Sequence, residues 1–161
     1  MTVEEFNTTV DLYADQLYRF ILKNMKDEEK ARDVVQDTYE KLWMKVSEVA
    51  STNAKSYMFT TAYHTMIDKI RRDKKQSELT ATRELTLSHS RQYSDLKEVL
   101  DEALSKLPDI QRSVILLRDY EGYSYAEIGE ITGLNESQVK VYIFRARGFL
   151  KNYIGAMENV I

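Results

Sequence analysis

The chain has 161 residues, one proline and five glycines, with every glycine at or after position 122. So few turn-forming residues exclude an all-β sandwich or barrel, which needs many tight turns. Hydrophobic residues make up 43% of the chain, enough to furnish a core, and the net charge of −3 argues against binding nucleic acid by bulk charge alone. We therefore predict an all-α protein.

Several classes of site are excluded by the residues that are missing. The chain has no cysteine, which removes disulfides, thiol nucleophiles and Cys-based zinc sites. Its two histidines, His64 and His89, lack metal-ligand partners at useful spacing, and no phosphate-binding loop or nucleophile motif is present. No apolar run can span a bilayer, and the acidic start MTVEEF is unlike a signal peptide. We expect a cytoplasmic protein with no catalytic site, cofactor, metal or direct membrane insertion.

Three helices are predicted in the first half of the chain. The first covers about 4–25, the second begins after the capping residue Asp27 and runs to about Glu48, and the third covers about 54–75. Each has apolar residues at steps of three and four, which places them on one face. The predicted inward residues are Phe6, Val10, Tyr13, Leu17, Phe20 and Ile21, then Ala31, Val34, Val35, Thr38, Leu42 and Val46, then Tyr57, Met58, Ala62, Met66 and Ile70.

Residues 77–94 are predicted to be a flexible linker. Seven of these eighteen residues are Ser or Thr, their charges cancel, and no apolar stripe persists. Fully extended, such a segment reaches roughly 60 Å, well beyond one turn of B-DNA at ~35 Å. The flanking domains, 1–76 and 95–161, could therefore occupy separate sites on one duplex.

The second half carries clear helix boundaries. The next predicted helix is amphipathic, and its inward face comprises Leu96, Val99, Leu100, Ala103, Leu104 and Leu107. Pro108 suits the first position of the helix after it, and Gly122 ends that helix. The segment Ser124-Tyr-Ala-Glu127 has the spacing of a capping box and starts a short helix, about 125–132. Gly133 suits a left-handed turn. Asn135, with Gln138 three residues on, caps the final helix, and the order of elements is that of a helix-turn-helix.

The final helix is a candidate DNA-reading element. Val139, Ile143, Ala146 and Leu150 repeat at steps of four, three and four and should face inward. The outer arc then mixes cations with exposed apolar residues, which suits a major groove, where cations contact phosphate or guanine and apolar atoms contact thymine methyls. A solvated helix end is the simpler alternative, but the preceding helix and glycine turn favour DNA. The outer arc comprises Ser137, Lys140, Val141, Phe144, Arg145 and Gly148.

Two further surfaces have two interpretations each. The third helix carries Tyr57, Phe59 and Tyr63 before a basic run at 69–75, a combination that could stack and hold unpaired bases. Aromatics at helical spacing are more often core, and a basic helix end more often complements the helix dipole. On the second helix, polar residues share one face that is either solvated or a protein-docking surface. That face comprises Asp33, Gln36, Asp37 and Glu40.

Three segments together resemble the bacterial extracytoplasmic-function sigma factors of the sigma-70 family. DEEKARDVVQDTYEKLW (27–43) resembles their polymerase-binding helix, and AKSYMFTTAYHTMIDKIRR (54–72) resembles the promoter-melting helix of region 2. The stretch LPDIQRSVILLRDYEGYSYAEIGEITGLNESQVKVYIFRARGFL (107–150) is similar to region 4, which reads the upstream promoter element. The segments come in the right order around a linker of plausible length.

The resemblance implies a role for specific residues. Asp33, Gln36, Asp37 and Glu40 would dock on core RNA polymerase. The helix from Tyr63 would meet the downstream promoter element as it opens, with His64 standing where the family usually has Asn, so that recognition there is expected to differ. The implied DNA contacts are Tyr63, His64, Lys69, Arg71 and Arg72 downstream, Ser137, Lys140, Val141, Phe144 and Arg145 in the upstream major groove, and Arg147 and Lys151 on phosphates. An anti-sigma factor is a further implied partner.

Two alternatives stay open on the residues alone. The chain could be an ordinary helix-turn-helix regulator whose first half senses a ligand or dimerises, which would favour a palindromic operator. It could also be a helical adaptor that binds proteins and has no nucleic-acid role.

Overall fold

The computed structural model describes residues 1–80 and 96–160, with side chains for all of these except 80 and 157–160. A short 3₁₀ turn, Ser51–Asn53, precedes the third helix, and one π-helical turn, Leu116–Tyr120, continues the fifth. The two described ranges contain no strand, in agreement with the all-α prediction. The helices are α1 Val3–Met25, α2 Glu28–Met44, α3 Ala54–Thr80, α4 Leu96–Lys106, α5 Asp109–Ile115, α6 Tyr125–Thr132 and α7 Glu136–Val160. No helix in this part of the chain is long and apolar enough to cross a membrane.

The first half is a three-helix unit in which α1 packs against α2 and α3. A reciprocal capping box between Thr2 and Glu5 begins α1, and Lys26 ends it in the left-handed conformation at φ 54°. Asp27 caps α2 through its side chain, as predicted. Helix α2 ends at Met44 rather than near Glu48, and residues 45–48 form turns.

Helix α3 is longer than predicted. It continues to Thr80, so the first four residues of the predicted linker, 77–80, are helical. The segment contains neither glycine nor proline, and nothing in it stops the helix at residue 76. The remainder of the predicted linker, 81–94, lies outside the described residues.

The second half contains the predicted helix-turn-helix, formed by α6, a turn at Gly133 and α7. Ser124 and Glu127 form a reciprocal capping box at α6, and Gly133 has φ 80°, a conformation that suits glycine. Asn135 and Gln138 bond each other's backbone N–H groups at 2.8 and 3.0 Å. Two details of the prediction were wrong. Pro108 is the N-cap residue of α5 and precedes its first helical position. Leu96 is 65% exposed instead of facing inward.

The two halves pack against each other. Helix α1 contacts α4 and α5, and α3 contacts α6. Phe59 of α3 is fully buried, with its ring 5.9 Å from the Phe20 ring in α1 and 5.4 Å from the Tyr123 ring that precedes α6. One continuous cluster of buried apolar side chains therefore crosses from the first half to the second.

Gly129 in α6 allows the turn of the helix-turn-helix to pack closely. A Cβ atom at this position would lie 2.8 Å from the carbonyl oxygen of Leu134, a backbone atom that cannot rotate away. At Gly148 in α7, a Cβ atom would meet nothing within 4 Å. The two glycines are therefore a matched pair for measuring this close approach.

We predict that Gly129→Ala lowers the free energy of unfolding by about 1–3 kcal/mol, despite the better helix propensity of alanine, because the turn must shift. Gly148→Ala should raise it by up to ~1 kcal/mol through helix propensity alone. Urea unfolding of both variants checks this. A stabilised Gly129→Ala would show that the turn relaxes without strain.

Candidate polymerase and DNA surfaces

The acidic face of α2 is open to solvent. Burial of Ala31, Val34 and Thr38 on the opposite side of the helix turns the polar residues outward. The Asp33 side chain is 62% exposed and forms one long ion pair, 3.8 Å, with Lys69 of α3. We call this surface the α2 docking face, and it comprises Asp33, Gln36, Asp37 and Glu40, all of which are exposed.

Two apolar residues that the sequence analysis did not single out lie at the end of the same helix. Trp43 is 47% exposed and Met44 is 79% exposed. The Trp43 ring makes an edge contact with Phe6 of α1 at 5.1 Å, which orients it. Both residues fall between Leu42 and Val46 in the helical repeat, so their outward position could have been read from the sequence. Aromatic and Met side chains in this setting are typical of protein interfaces.

The basic end of α3 is exposed, but its aromatic residues are not. Arg71 and Arg72 are exposed, Lys69 is half-buried, and His64 is exposed beside the Tyr63 ring at 5.3 Å. Tyr63 itself is only 5% exposed, and its burial raises the pKa of its hydroxyl above the usual range.

The stacking interpretation of the aromatic residues on α3 needs correction. Phe59 is a core residue, so it cannot stack on a base. Tyr63 is covered in this arrangement of the two halves, and its ring is therefore not available as a stacking platform here. Sequence periodicity could not show the burial of Phe59, because one of the rings that pack against it, Tyr123, comes from the second half of the chain.

The outward face of α7 carries the residues predicted to read DNA. Val139, Ile143 and Ala146 are buried against the rest of the second half, which fixes the orientation of the helix. Phe144 is 80% exposed and Val141 is 44% exposed. We call this surface the α7 reading face, and it comprises Ser137, Lys140, Val141, Phe144 and Arg145, all of which are exposed.

Two cations of this face lie near aromatic rings without being held by them. The Arg145 guanidinium lies 6.0 Å from the Tyr142 ring, and the Lys140 amine lies 5.6 Å from the Tyr125 ring and 3.9 Å from Glu136. These long contacts are weak, so both cations can turn toward an incoming anion.

Arg147 does not resemble a free phosphate ligand. Its guanidinium binds Asp119 of the π turn through two hydrogen bonds, 2.6 and 3.2 Å long. The hydrogen bond to Asp119 raises the pKa of Arg147 further. This bidentate pair holds α7 against the π turn. The Asp119 carboxylate also neutralises the positive charge of Arg147, which was predicted to bind a phosphate. Lys151, one turn further, is exposed.

Comparisons with known proteins agree with this arrangement. The family model for Sigma-70 region 2 matches residues 9–76, and that for Sigma-70 region 4 matches residues 97–150. The sigma factor YlaC of Bacillus subtilis is 30% identical over 148 residues, which cover 86% of each chain. The extracytoplasmic-function sigma factor SigM of the same organism is 29% identical over 158 residues, which cover 94% of each chain.

A solved structure is similar over both halves. It is the sigma factor RpoE of Bartonella quintana in complex with the anti-sigma factor NepR, and it matches with a TM-score of 0.81 and 27% identity. The match covers 95% of this chain and 98% of that chain. A score this high over nearly the whole length means that the two halves are placed similarly in the two proteins.

The matched regions, the relatives and the helix-turn-helix identify the chain as a member of the sigma-70 family, in the extracytoplasmic-function group, and hence as an RNA polymerase sigma factor that binds core polymerase and directs promoter-specific transcription initiation.

Proposed function

We propose that this sigma factor works through three separate faces. The α2 docking face binds core polymerase, the basic end of α3 meets the downstream promoter element as it opens, and the α7 reading face enters the major groove of the upstream element. The domains that carry these tasks are 1–76 and 95–161. The observation that supports the proposal is that the faces on α2 and α7 are solvent-exposed, on separate helices, and have different chemistry.

The chemistry of the α2 docking face suits a protein partner. Its carboxylates offer charge complementarity to a basic surface, which speeds encounter and fixes orientation. The exposed Trp43 and Met44 beside them provide apolar area, and such residues often dominate binding energy. We therefore add Trp43 and Met44 to the proposed polymerase contacts.

The chemistry of the α7 reading face suits duplex DNA. Phe144 and Val141 present apolar atoms for thymine methyls, while Arg145 and Lys140 present donors for guanine or phosphate. Because Arg147 is paired with Asp119, we assign it to positioning α7, with Lys151 as the phosphate contact at this end of the helix.

The cell location and partners follow from this role. The protein acts in the cytoplasm, where polymerase and chromosome meet, and its own residues perform no catalysis. An anti-sigma factor is a further proposed partner. The support for it is the similar placement of the two halves in the Bartonella sigma factor, which was solved with its anti-sigma factor bound.

We predict that replacing both Asp33 and Asp37 with Lys lowers affinity for core polymerase on the order of a hundredfold or more, because like charges across an interface cost several kcal/mol. Fluorescence anisotropy with purified core polymerase measures it. The matched control reverses Asp11 and Glu98, two exposed acids outside the proposed faces, with the same change in net charge. Both variants should unfold at the wild-type temperature within a few degrees. If the Asp33/Asp37 variant bound core polymerase as tightly as the wild type, the assignment of polymerase binding to the α2 docking face would be wrong.

The α7 reading face makes a separate prediction about sequence discrimination. Arg145→Ala should weaken binding to the preferred upstream element by about 1–3 kcal/mol and flatten the preference at one base pair. Lys151→Ala should weaken all sequences equally and reduce the salt dependence. Selection of bound sequences from a randomised upstream element, using polymerase reconstituted with each variant, separates the two. If Arg145→Ala lowered the affinity for every sequence equally, Arg145 would be a phosphate contact and would not read a base.

A further inference from the structure

Methionine is the only sulfur-containing residue of this chain. The sequence has six methionines and no cysteine, so no thiol competes with them for an oxidant. Met58 and Met66 are fully buried in the core, and Met1 and Met25 are half-buried. Met44 is 79% exposed. Among the methionines whose side chains the structure describes, Met44 therefore has the thioether that an oxidant in solution reaches most easily.

The surroundings of Met44 leave its side chain open to water. Helix α2 ends at this residue, and the chain continues into turns. Glu40 and Lys41, one turn earlier on the helix, are exposed, and so is Lys45, which follows it. A small oxidant can therefore approach the sulfur atom without any movement of the fold.

Met44 lies at the apolar end of the α2 docking face. The Trp43 ring next to it is 47% exposed and is oriented by its edge contact with Phe6 of α1 at 5.1 Å. Exposed apolar side chains that are neighbours, beside a polar surface, mark a protein contact more strongly than single ones do. The carboxylates of the face and these two apolar residues thus offer a partner two kinds of contact.

Oxidation changes only the apolar kind of contact. Hydrogen peroxide transfers one oxygen atom to the methionine sulfur: a sulfur–oxygen bond forms, the peroxide O–O bond breaks, and the two electrons that sulfur loses leave with the other oxygen as water. The sulfoxide is polar where the thioether was apolar. Burying it without a hydrogen-bond partner costs free energy that burying the thioether does not cost. The charges of Asp33 and Asp37 stay as they were.

We propose that Met44 is a reversible oxidation site that controls how long the α2 docking face stays bound to core polymerase. The proposal rests on the proposed role of that face in polymerase binding. As a thioether, Met44 extends the apolar contact of Trp43, and as a sulfoxide it brings a polar oxygen into the same contact. A methionine sulfoxide reductase reverses the change, because a dithiol supplies two electrons, becomes a disulfide and the oxygen leaves as water. Peroxide thus shortens the lifetime of the complex, and reduction restores it.

The order in which the methionines react is the first test. Limited treatment of the chain with hydrogen peroxide, followed by mass spectrometry of its peptides, should show oxygen on Met44 before Met25, and on Met58 last. Bound core polymerase should slow the reaction at Met44 by on the order of tenfold or more, because the centre of an interface excludes solvent. The proposal is wrong if Met25 reacts as fast as Met44, or if polymerase leaves the rate at Met44 unchanged.

The kinetics of polymerase binding are the second test. The chain is treated with peroxide, the peroxide is removed with catalase, and stopped-flow fluorescence with untreated core polymerase gives both rate constants. The dissociation rate constant should rise by on the order of tenfold, since a hot-spot contact is weakened. The association rate constant should change by less than about twofold, because the steering charges are intact. Sulfoxide reductases for both epimers, with a dithiol, should return the dissociation rate constant to its original value.

Two variants assign the effect to one sulfur atom, each compared with its own untreated sample. Met44→Leu has no sulfur at this site and retains Trp43, so peroxide should leave its dissociation rate constant unchanged. Met25→Leu retains Met44 and is the matched control, and peroxide should raise its dissociation rate constant as in the wild type. If treated Met44→Leu dissociates faster by the same factor as treated wild type, another residue is responsible and the proposal is wrong.

The remaining outcomes separate this proposal from the proposed function. If Met44 carries the added oxygen and the wild type dissociates no faster, the oxidation site does not control binding, whereas the docking face itself is unaffected by that result. The docking face is contradicted instead if the untreated wild type fails to bind core polymerase, or if reversing Asp33 and Asp37 leaves the affinity unchanged.

Discussion

The burial of Phe59 between Phe20 and Tyr123 is the interaction on which the arrangement of this sigma factor depends. Phe59 lies on α3 but contacts α1 on one side and the start of the helix-turn-helix on the other. The apolar cluster is therefore continuous through both halves. This shared packing holds the halves together and leaves the polar side of α2 and the outward side of α7 in solvent.

The distribution of charge explains why such a protein needs polymerase. Its net positive charge lies in the end of α3 and in α7, and several of these basic residues already have acidic partners, as Lys74 has Asp109 and Arg147 has Asp119. Affinity for DNA that does not depend on sequence scales with the number of phosphates neutralised, and few cations remain for that purpose. Polymerase that holds both halves on one promoter supplies a high effective concentration and turns two weak contacts into specific occupancy.

Local signals in the sequence were sufficient for much of the fold. Ser124, Glu127 and Gly133 define α6, and its predicted limits, 125–132, are those observed, because capping groups and a left-handed glycine act over a few residues. The exposure of Phe144 followed in the same way from the inward repeat of Val139, Ile143 and Ala146.

Features that depend on distant contacts could not be predicted. The packing of Phe59 against Tyr123 and the pairing of Arg147 with Asp119 depend on how elements far apart in sequence, or on either side of a turn, come together. The buried Arg112 is the clearest case, because a cation near the start of a helix gives no sign that it will bind the Asn24 carbonyl oxygen of another helix. Nothing in the sequence indicated the packing role of Gly129 either, because this role depends on the close approach of the Leu134 carbonyl oxygen in the folded turn.

The distance between α2 and α7 in solution tests the central claim most directly. Spin labels on cysteines introduced at two exposed positions, Lys41 and Lys151, would report that distance by pulsed electron paramagnetic resonance, since the chain has no other thiol. The account predicts one narrow, short distribution for the free chain and a longer one after core polymerase is added. A broad, long distribution in the free chain that polymerase leaves unchanged would contradict it.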